Sequence, residues 1–416
     1  MARVTEMAEL FRVLPPAEAL RVFLDHLPKG VRTERLPTTE ALGRVLAEEL
    51  TAPESLPAFP RSTMDGYAVR ASDTFGAGET LPAYLSVVGE VAMGRAADLE
   101  VGSGQAAVVH TGGMIPPGAD AVVMIERTQK LDEASIEVLR PVAPGENVIL
   151  EGEDVKEGEP LLAPGHIIRP QDVGGLLALG ITMVRVASRP RVAILSTGDE
   201  VVRPDALPAF GQVRDVNTYT VSALVRRAGG LPIEQGIVGD RFEALQETAR
   251  KGLDEADALV ISAGSSVSVR DLTARVVNGL GEPGVLVHGV SVKPGKPTIL
   301  GVCGTKPVIG LPGNPVSAMV VAGLFLVPLL YRLQGREHPP SPLLAKAKLS
   351  CNVPSISGRE DHVPVRLVER NGELWADPVF GKSNLIHTLV KADGLAGVPL
   401  DSNGLHEGEW VEVRLF

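Results

Sequence analysis

The spacing of hydrophobic positions predicts helices near the start of the chain. The stretch PAEALRVFLDHL places Leu20, Phe23, Leu24 and Leu27 on one face of a helix. The stretch TTEALGRVLAEEL repeats this spacing behind a threonine suited to a helix N-cap. Both stretches are therefore predicted to be helices that pack against other elements.

From Pro53 to about Glu151 the hydrophobic runs become short, as in AYLSVVGEVAM, QAAVVH and AVVMIE, and glycine or proline interrupts them every few residues. Short apolar runs bounded by turn residues are typical of β-strands, so this segment is predicted to be a small β domain. A helix after Pro170 and a strand ITMVRV are predicted to follow it.

Between Arg189 and about Gly335 strand patterns alternate with helix patterns. RVAILS, LPIEQGIVGD, DALVISAG and PVIGLP are strand-like, and NTYTVSALVRRAGG, RFEALQETARKGLDEA and LTARVVNGLG are helix-like. This alternation predicts a mostly parallel sheet with helices on both faces. After Gly335, the runs HVPVRLVE, ELWADPVF and EWVEVRLF predict a β domain.

Composition narrows the class of protein. The 416 residues are 44% hydrophobic and carry a net charge of -11, which disfavours disorder and a general affinity for nucleic acid or anionic membranes. Cys303 and Cys351 have neither disulfide-scaffold nor zinc-site spacing. The N-terminus lacks a signal-peptide pattern, and AMVVAGLFLVPLLY is too short to span a membrane and is expected to be broken by Pro328. A cytoplasmic protein without membrane insertion is expected.

Polar residues follow the strands of the predicted α/β region, and the carboxyl ends of parallel strands meet at one edge, where ligands bind. Glycine and serine loops offer N–H groups to anions, while carboxylates suit a hard divalent cation. With the lysines of KPGKP, the edge is predicted to bind a phosphate-bearing ligand with Mg²⁺. The contributing residues are Ser196, Thr197, Gly198, Asp199, Glu200, Asp240, Ser262, Gly264, Ser265, Ser266, Asp271, Lys293, Lys296, Pro312, Gly313 and Asn314.

Simpler roles also account for some of these residues. Asn314 before Pro315 is predicted to be a helix N-cap whether or not a ligand binds. Asp240 and Asp271 each suit a cap of the helix that follows, and Lys296 alone would be an ordinary surface lysine. The functional interpretation depends on several loops converging at one edge. The sequence shows no complete P-loop, no Gly-x-Ser-x-Gly elbow and no HExxH motif.

Several stretches, taken together and in this order, resemble the molybdopterin molybdenumtransferase family, the MoeA-like enzymes related to the catalytic half of gephyrin. They are STMDGYAVR, HTGGMIPPGADAVVMIE, GEDV, ILSTGDEVV, VSVRD, VKPGKP and LPGNPVSA, and the likeness runs from Leu36 to Phe416. The resemblance implies an enzyme that receives adenylylated molybdopterin and, with molybdate and Mg²⁺, releases AMP and leaves molybdenum on the dithiolene.

The resemblance also implies an architecture of four domains. These are an elongated N-terminal domain (residues 1–52 with 152–188), an inserted β domain (53–151), a three-layer α/β molybdopterin-binding domain (189–335) and a C-terminal β barrel (336–416). Such proteins are homodimers, with the active cleft between the last two domains of one subunit and the first two of the other. A molybdopterin adenylyltransferase is a candidate delivery partner, and the sequence leaves the delivery partner open.

Residue by residue, the resemblance implies a catalytic set and a substrate-binding set. Asp65, in the proline-flanked stretch LPAFPRSTMDGYAVRASD, would be held rigidly across the cleft, although the same stretch also suits a well-packed domain junction. Asp240 and Asp271, with Glu200, would place Mg²⁺. The catalytic set is Asp65, Thr111, Asp154, Glu200, Asp240 and Asp271, and Lys293, Lys296 and Ser383 would hold phosphate or molybdate oxyanions.

The sequence departs from the family pattern between Asn147 and Gly152. Many relatives place arginines there, whereas this chain has Ile149, Leu150 and Glu151. The candidates for replacing their charge are Arg359, Arg366 and Lys382. Preference for molybdate or tungstate is left open.

Three other functions remain compatible with parts of the sequence. The α/β region alone suits a molybdopterin adenylyltransferase, but those smaller proteins lack the MDGYA stretch and the C-terminal domain. A noncatalytic scaffold of the gephyrin kind is disfavoured because the chain lacks a fused second module and a long linker. Binding of a different nucleotide by the α/β region is the third alternative.

Overall fold

A computed structural model describes residues 13–263 and 267–416 of the chain. The chain forms two compact units. The large unit contains the residues up to Glu34, Gly43–Ala47 and Val186–Phe416, and the small unit contains Arg35–Leu42 and Glu48–Arg185. The division into four domains stays a prediction.

The first part of the chain contains two helices and twelve short strands within the described residues. The helices are α1 Pro16–Asp25 and α2 Pro170–Ala178. The strands are β1 Thr33–Pro37, β2 Leu50–Thr51, β3 Arg61–Ser62, β4 Gly66–Val69, β5 Ala83–Glu90, β6 Gln105–Val109, β7 Ala121–Met124, β8 Thr128–Lys130, β9 Ser135–Val138, β10 Val148–Ile149, β11 Pro160–Leu162 and β12 Met183–Ala187.

The middle part alternates strands and helices, as predicted. Its strands are β13 Arg191–Thr197, β14 Val201–Val202, β15 Val213–Arg214, β16 Leu231–Val238, β17 Ala258–Ala263, β18 Pro283–His288, β19 Val292–Lys293, β20 Ile299–Cys303 and β21 Lys306–Pro312. Its helices are α3 Asn217–Arg227, α4 Phe242–Glu255, α5 Val267–Leu280, α6 Pro315–Val321 and α7 Val327–Leu333.

The last part is mostly β structure with one short helix, α8 His387–Val390. Its strands are β22 Leu344–Leu349, β23 Val353–Pro354, β24 Glu360–Arg370, β25 Glu373–Pro378, β26 Gly394–Val398, β27 Gly404–Leu405 and β28 Trp410–Leu415. Strands β24, β25, β22, β28 and β26 pair in this order, and β26 pairs back with β24. The sheet therefore closes into a five-stranded barrel, which confirms the predicted β barrel.

The small unit is built around a six-stranded sheet in the order β7-β4-β6-β5-β9-β8. All its pairs are antiparallel except β5 with β6. Val69, Ala106 and Ile136 are fully buried in its core, because alternate residues of each strand face the same side. The predicted small β domain is confirmed.

One predicted helix is wrong. TTEALGRVLAEEL forms a single 3₁₀ turn, Thr38–Glu40, and then an irregular segment that ends in β2. Gly43 has a φ of 74°, a left-handed conformation that an α-helix cannot contain. The buried residues Ala41, Val45 and Leu46 have the spacing of a helix face without forming one.

The large unit has a three-layer arrangement around a sheet in the order β16-β13-β17-β21-β20-β18. The first four strands are parallel, β20 is antiparallel to its neighbour β21, and β18 is antiparallel to β20. Val192 and Ile194 face the layer of α1, α3, α6 and α7, whereas Ala193 and Leu195 face α4 and α5. The carboxyl ends of the parallel strands therefore form one edge, as the α/β pattern predicts.

One helix start and one predicted helix break differ from expectation. Helix α5 begins at Val267 rather than at Leu272. The apolar run is not broken by Pro328, because a π-helical segment, Ala322–Leu326, joins α6 to α7 and places Pro328 in the first turn of α7, where a missing N–H is tolerated. The continuous helix is long and apolar enough to cross a membrane, yet Phe325 and Leu329 are fully buried in the sheet's core.

Candidate active site

The loops after β13 and β16 meet at the carboxyl edge of the sheet in the large unit. Thr197 Oγ1 donates to Asp240 Oδ1 at 2.7 Å, and the N–H of Asp240 donates to Asp199 Oδ1 at 3.1 Å. Ser196 and Thr197 are buried, and the N–H of Gly198 donates to Val238 O. Adjacent parallel strands thus bring Thr197 and Asp240, which are distant in sequence, into contact.

Asn217 ties two further loops together at this edge. Its Nδ2 donates to Ser262 Oγ at the end of β17 and to Gly313 O after β21, both at 2.8 Å. Asn217 is buried at the first position of α3 and was not among the site residues predicted from the sequence. A polar residue at a helix start after a strand-like segment is the only sequence signal it offers.

Asn314 is the N-cap residue of α6 and Pro315 is the first helical residue, as predicted. The Asn314 side chain makes no capping hydrogen bond. Its Nδ2 instead donates to Ser383 Oγ at 2.9 Å, and the Val316 N–H donates to Ser383 O. This pair of bonds joins the loop that carries Ser383 to the sheet edge.

The capping explanations for two acidic residues are wrong. Arg241, not Asp240, stands at the N-cap position of α4. Asp271 lies within α5 rather than before it, because that helix begins at Val267. Neither carboxylate therefore serves as an N-cap, which leaves the ligand role predicted for both.

A cavity of about 680 Å³ opens beside the ends of β17 and β21 in the large unit. Its wall includes Pro312 and Asn314 from the sheet edge, the KPGKP loop, and residues of the barrel near Arg359 and Ser383. Gly295 has a φ of 128°, and a Cβ there would lie 2.5 Å from Val321 Cγ2, so the loop's close packing requires glycine. The volume is sufficient for a small organic ligand.

The cavity wall is rich in cations. Four of them line it, namely Lys293, Lys296, Arg359 and Lys382. Asp361 is 2% exposed and accepts hydrogen bonds from Arg359 Nε at 2.8 Å and Lys293 Nζ at 3.3 Å. Lys293 and Asp361 are register partners of β19 and β24. The wall thus attracts anions.

His362 also lines the cavity and does not add to its charge at neutral pH. Burial, with a smaller contribution from the charge of Arg414, lowers the pKa of His362 to about 4. Its Nε2 is buried and has no hydrogen-bond partner among residues 13–263 and 267–416.

The structure does not gather the three predicted Mg²⁺ ligands into a closed site. Within the described ranges no three His, Cys, Asp or Glu side chains are grouped closely enough to hold a metal. Mg²⁺ is commonly held by one or two carboxylates, water and the oxygens of a phosphate substrate, and Asp240 with Asp199 beside it fits that arrangement. Glu200, Asp240 and Asp271 stay predicted ligands.

In the small unit, Asp65 and Thr111 lie together. Asp65 Oδ1 accepts the Thr111 N–H at 2.8 Å and the Thr111 hydroxyl at 3.1 Å. These two bonds, and to a lesser degree the charge of His110, lower the pKa of Asp65. His110 Nδ1 lies 3.9 Å from Asp65, and its Nε2 lies 2.8 Å from Glu90. His110 and Glu90 are neighbours that the sequence analysis missed.

Two sets of predicted residues remain outside these contacts. Asp154 is exposed in the small unit, and its side chain makes no hydrogen bond or ion pair with the residues that the structure describes. Gly264, Ser265 and Ser266 lie outside the described residues. Their roles stay predictions.

Three family models match the chain in succession. The MoeA N-terminal region (domain I and II) matches residues 14–180, a probable molybdopterin binding domain matches residues 193–332, and the MoeA C-terminal region (domain IV) matches residues 346–416.

Individual relatives match nearly the whole chain. The molybdopterin molybdenumtransferase of Haemophilus influenzae is 32% identical over 401 residues, which cover 96% of this chain and 98% of the relative. That of Bacillus subtilis is 32% identical over 414 residues, which cover 99% of this chain and 96% of the relative. The crystal structure of the molybdopterin biosynthesis MoeA protein from Pyrococcus horikoshii is 37% identical, has a TM-score of 0.83 and covers 97% of this chain and 99% of its own.

Proposed function

The chain belongs to the MoeA family of molybdopterin molybdenumtransferases and is an enzyme of molybdenum cofactor biosynthesis, and we propose that it inserts molybdate into adenylylated molybdopterin and releases AMP. Both substrates are anions that carry tetrahedral oxyanion groups. The observation that carries the proposal is the cation-lined cavity at the carboxyl edge of the sheet.

The residues of the large unit would bind and orient the substrates. Lys293 and Lys296 supply positive charge for the phosphates or molybdate, and Ser383, which lines the same cavity, is held by Asn314. Thr197 holds the Asp240 carboxylate in one orientation through its 2.7 Å hydrogen bond. Fixed charges and dipoles of this kind stabilise the charge that develops on a departing phosphate without reorganising during the reaction.

We assign the Mg²⁺ site to Asp240, with Glu200 and Asp271 as further ligands. When bound, Mg²⁺ would stabilise negative charge at the link between molybdopterin phosphate and AMP. Because the described carboxylates form no closed three-ligand cluster, phosphate oxygens and water would complete the coordination.

Asp65 and Thr111 would act at the same cleft from a second copy of the chain. This assignment supposes a homodimer and follows from the resemblance of STMDGYAVR and HTGG to the family's motifs. The two hydrogen bonds from Thr111 keep the Asp65 carboxylate charged and oriented, as a positioned group requires. Delivery of the substrate by an adenylyltransferase and a cytoplasmic location belong to the same proposal.

The direct test is to incubate the purified protein with adenylylated molybdopterin, Mg²⁺ and molybdate, and to measure AMP release and molybdenum retained on the pterin. The wild type should release AMP in proportion to the molybdenum retained. Lys293→Ala with Lys296→Ala should reduce the rate at least about a hundredfold, because two charge-assisted contacts to oxyanions are lost.

The matched control is Lys391→Ala, which removes an exposed lysine of the barrel outside the cavity wall. It should retain wild-type activity. An inactive wild type that nevertheless binds the pterin nucleotide would favour the noncatalytic scaffold instead.

A further inference from the structure

The cavity wall contains cations of two kinds: those that form an ion pair with a carboxylate and those that do not. Arg359 donates through Nε to Asp361 Oδ1 at 2.8 Å and through Nη2 to Oδ2 at 3.3 Å, and Lys293 Nζ also reaches Oδ2 at 3.3 Å. Because Asp361 is almost fully buried, its charge is little screened by solvent. Arg359 and Lys293 are thus held in place against one carboxylate.

Lys296 and Lys382 form the second kind. Both are exposed residues of the cavity wall. In the described ranges, neither ammonium group makes an ion pair or hydrogen bond. Two lysine side chains therefore line the cavity without a carboxylate partner.

The backbone that carries Lys382 is fixed although its ammonium group is free. Lys382 O accepts the N–H of Leu385 at 2.9 Å. The next residue, Ser383, is held by the Asn314 side chain and by the Val316 N–H. An anchored main chain lowers the ordering cost of binding, because only the lysine side chain needs to be immobilised.

We propose that Lys382 is a substrate-binding residue and that, together with Lys296, it binds a tetrahedral, doubly charged oxyanion in this cavity. Two unpaired ammonium groups match the charge of a dianion, and the paired Arg359, Asp361 and Lys293 line the same cavity. The oxyanion is either free molybdate or the phosphate of the pterin nucleotide. This inference rests on the proposed function, since that function supplies both anions.

The test measures binding without turnover. Molybdate alone and AMP alone are titrated calorimetrically into the wild type, Lys382→Gln, Lys382→Arg and the control Lys391→Gln at low ionic strength. Lys382→Gln should weaken the binding of one of the two anions about tenfold, because one charge-assisted contact is lost. Lys382→Arg and Lys391→Gln should remain within about twofold of the wild type, since both keep the cavity's charge. Thermal unfolding of each variant checks that the fold is unchanged.

The arms identify the source of the oxyanion. If Lys382→Gln binds only molybdate more weakly, the site is assigned to the free oxyanion. If it binds only AMP more weakly, the site is assigned to the nucleotide phosphate. The proposal is overturned if Lys382→Gln binds both anions like the wild type, or if the wild type binds neither. The titrations contain no pterin, so their outcome is independent of AMP release. If the wild type transfers molybdenum but Lys382→Gln binds both anions as the wild type does, the proposed function stands and this inference is wrong.

Discussion

The carboxylate of Asp65 is oriented by its neighbours in a way that suits the role proposed for it at the cleft. Both donors of Thr111 point at the same oxygen, Oδ1. Their hydrogen bonds favour the charged form, so the pKa of Asp65 lies below its ordinary value. His110 and Glu90 extend the contact but do not replace these bonds, since His110 Nδ1 is 3.9 Å away.

Thr111→Val should reduce the rate of AMP release about tenfold, because it removes the hydroxyl donor and leaves Asp65 with the N–H bond alone. The pKa of Asp65 should rise towards its ordinary value, and the acidic limb of the pH–rate profile should move to higher pH. Thr111→Ser should restore both. Thr128→Val, which removes a different threonine hydroxyl of the small unit, one that donates to Ile125 O, is the control. Identical profiles for Thr111→Val and wild type would exclude the hydroxyl from the site.

His362 makes the stability of the barrel depend on pH. Its pKa is 6.5 when unperturbed and about 4 in the folded protein, chiefly because of burial. Between these values the unfolded chain binds a proton that the folded chain does not. The folded state therefore has its full stability above about pH 6.5 and loses stability as the pH drops through 4, by about 3 kcal/mol in total.

His362→Gln should abolish most of this pH dependence, whereas His406→Gln, at an exposed histidine of the same barrel, should retain it. Urea unfolding followed by tryptophan fluorescence measures it selectively, since Trp375 in β25 and Trp410 in β28 are the only tryptophans. A wild-type midpoint that is the same at pH 7.5 and pH 4.5 would contradict the assignment.

Residue chemistry was predictable where the signal is local. Asn314 followed by Pro315 indicates a helix start from two adjacent letters, and the structure has it there. Asp361 gave no such signal, because its partner Lys293 is 68 residues away and the two meet only through the register of β19 with β24. Of the three candidate cations in the barrel, Arg359 is taken by Asp361, and only Lys382 is both in the cavity wall and unpaired within the described residues.

At the scale of elements, α2 depends on one buried carboxylate. Asp172 accepts the backbone N–H of Arg169 at 2.8 Å, the Arg169 guanidinium at 2.8 and 3.0 Å, and His166 Nε2 at 2.6 Å. The guanidinium hydrogen bonds are the main reason that the pKa of Asp172 is held far below its usual range. The start of the helix is thereby fixed.

Asp172→Ala should destabilise the small unit by about 2 kcal/mol at neutral pH, because it removes the buried, charged acceptor of the Arg169 N–H, the Arg169 guanidinium and His166. In the wild type this contribution is present above about pH 4 and is lost as the pH falls further, since the folded pKa is depressed. Hydrogen exchange of peptides covering Pro170–Ala178 measures it, and Asp98→Ala, an exposed aspartate, is the control. Unchanged protection in Asp172→Ala would refute this role.

Elements were predictable where periodicity and turn residues agree. The alternation from Arg189 onwards gave the strands and helices of the α/β sheet, and the short apolar runs gave both β regions. The helix predicted for TTEALGRVLAEEL was wrong because Gly43 adopts a left-handed conformation, which the spacing of hydrophobic residues does not indicate. The predicted break at Pro328 was also wrong, because a π-helical segment accommodates this proline within a buried helix. Backbone exceptions of this kind depend on tertiary packing.

At the scale of the whole molecule, charge is distributed unevenly. The net charge is -11, yet four cations and one buried aspartate line the cavity. A net negative charge with a local cationic cavity disfavours binding of polyanions and still admits small anions. The sequence predicted this contrast, because the lysines of KPGKP are close to the polar strand ends in a predominantly acidic chain.

The proposed cleft combines residues of both units, and the homodimer proposal takes them from different copies. Mixing two inactive variants tests this directly. Asp65→Asn alters the small unit alone and Lys296→Ala the large unit alone, so each homodimer would have two defective clefts. A mixed dimer would combine the intact large unit of one copy with the intact small unit of the other, and would contain one undamaged cleft.

Unfolding the two variants together and refolding them at equal concentration should therefore recover about a quarter of wild-type activity, because half of the dimers are mixed and each has one working cleft. Refolding each variant alone should recover none. The measured quantity is AMP release, with sedimentation equilibrium to establish the dimer. If the mixture stays inactive although mixed dimers form, Asp65 and Lys296 do not act together across two copies, and a cleft within a single copy would have to replace the shared one.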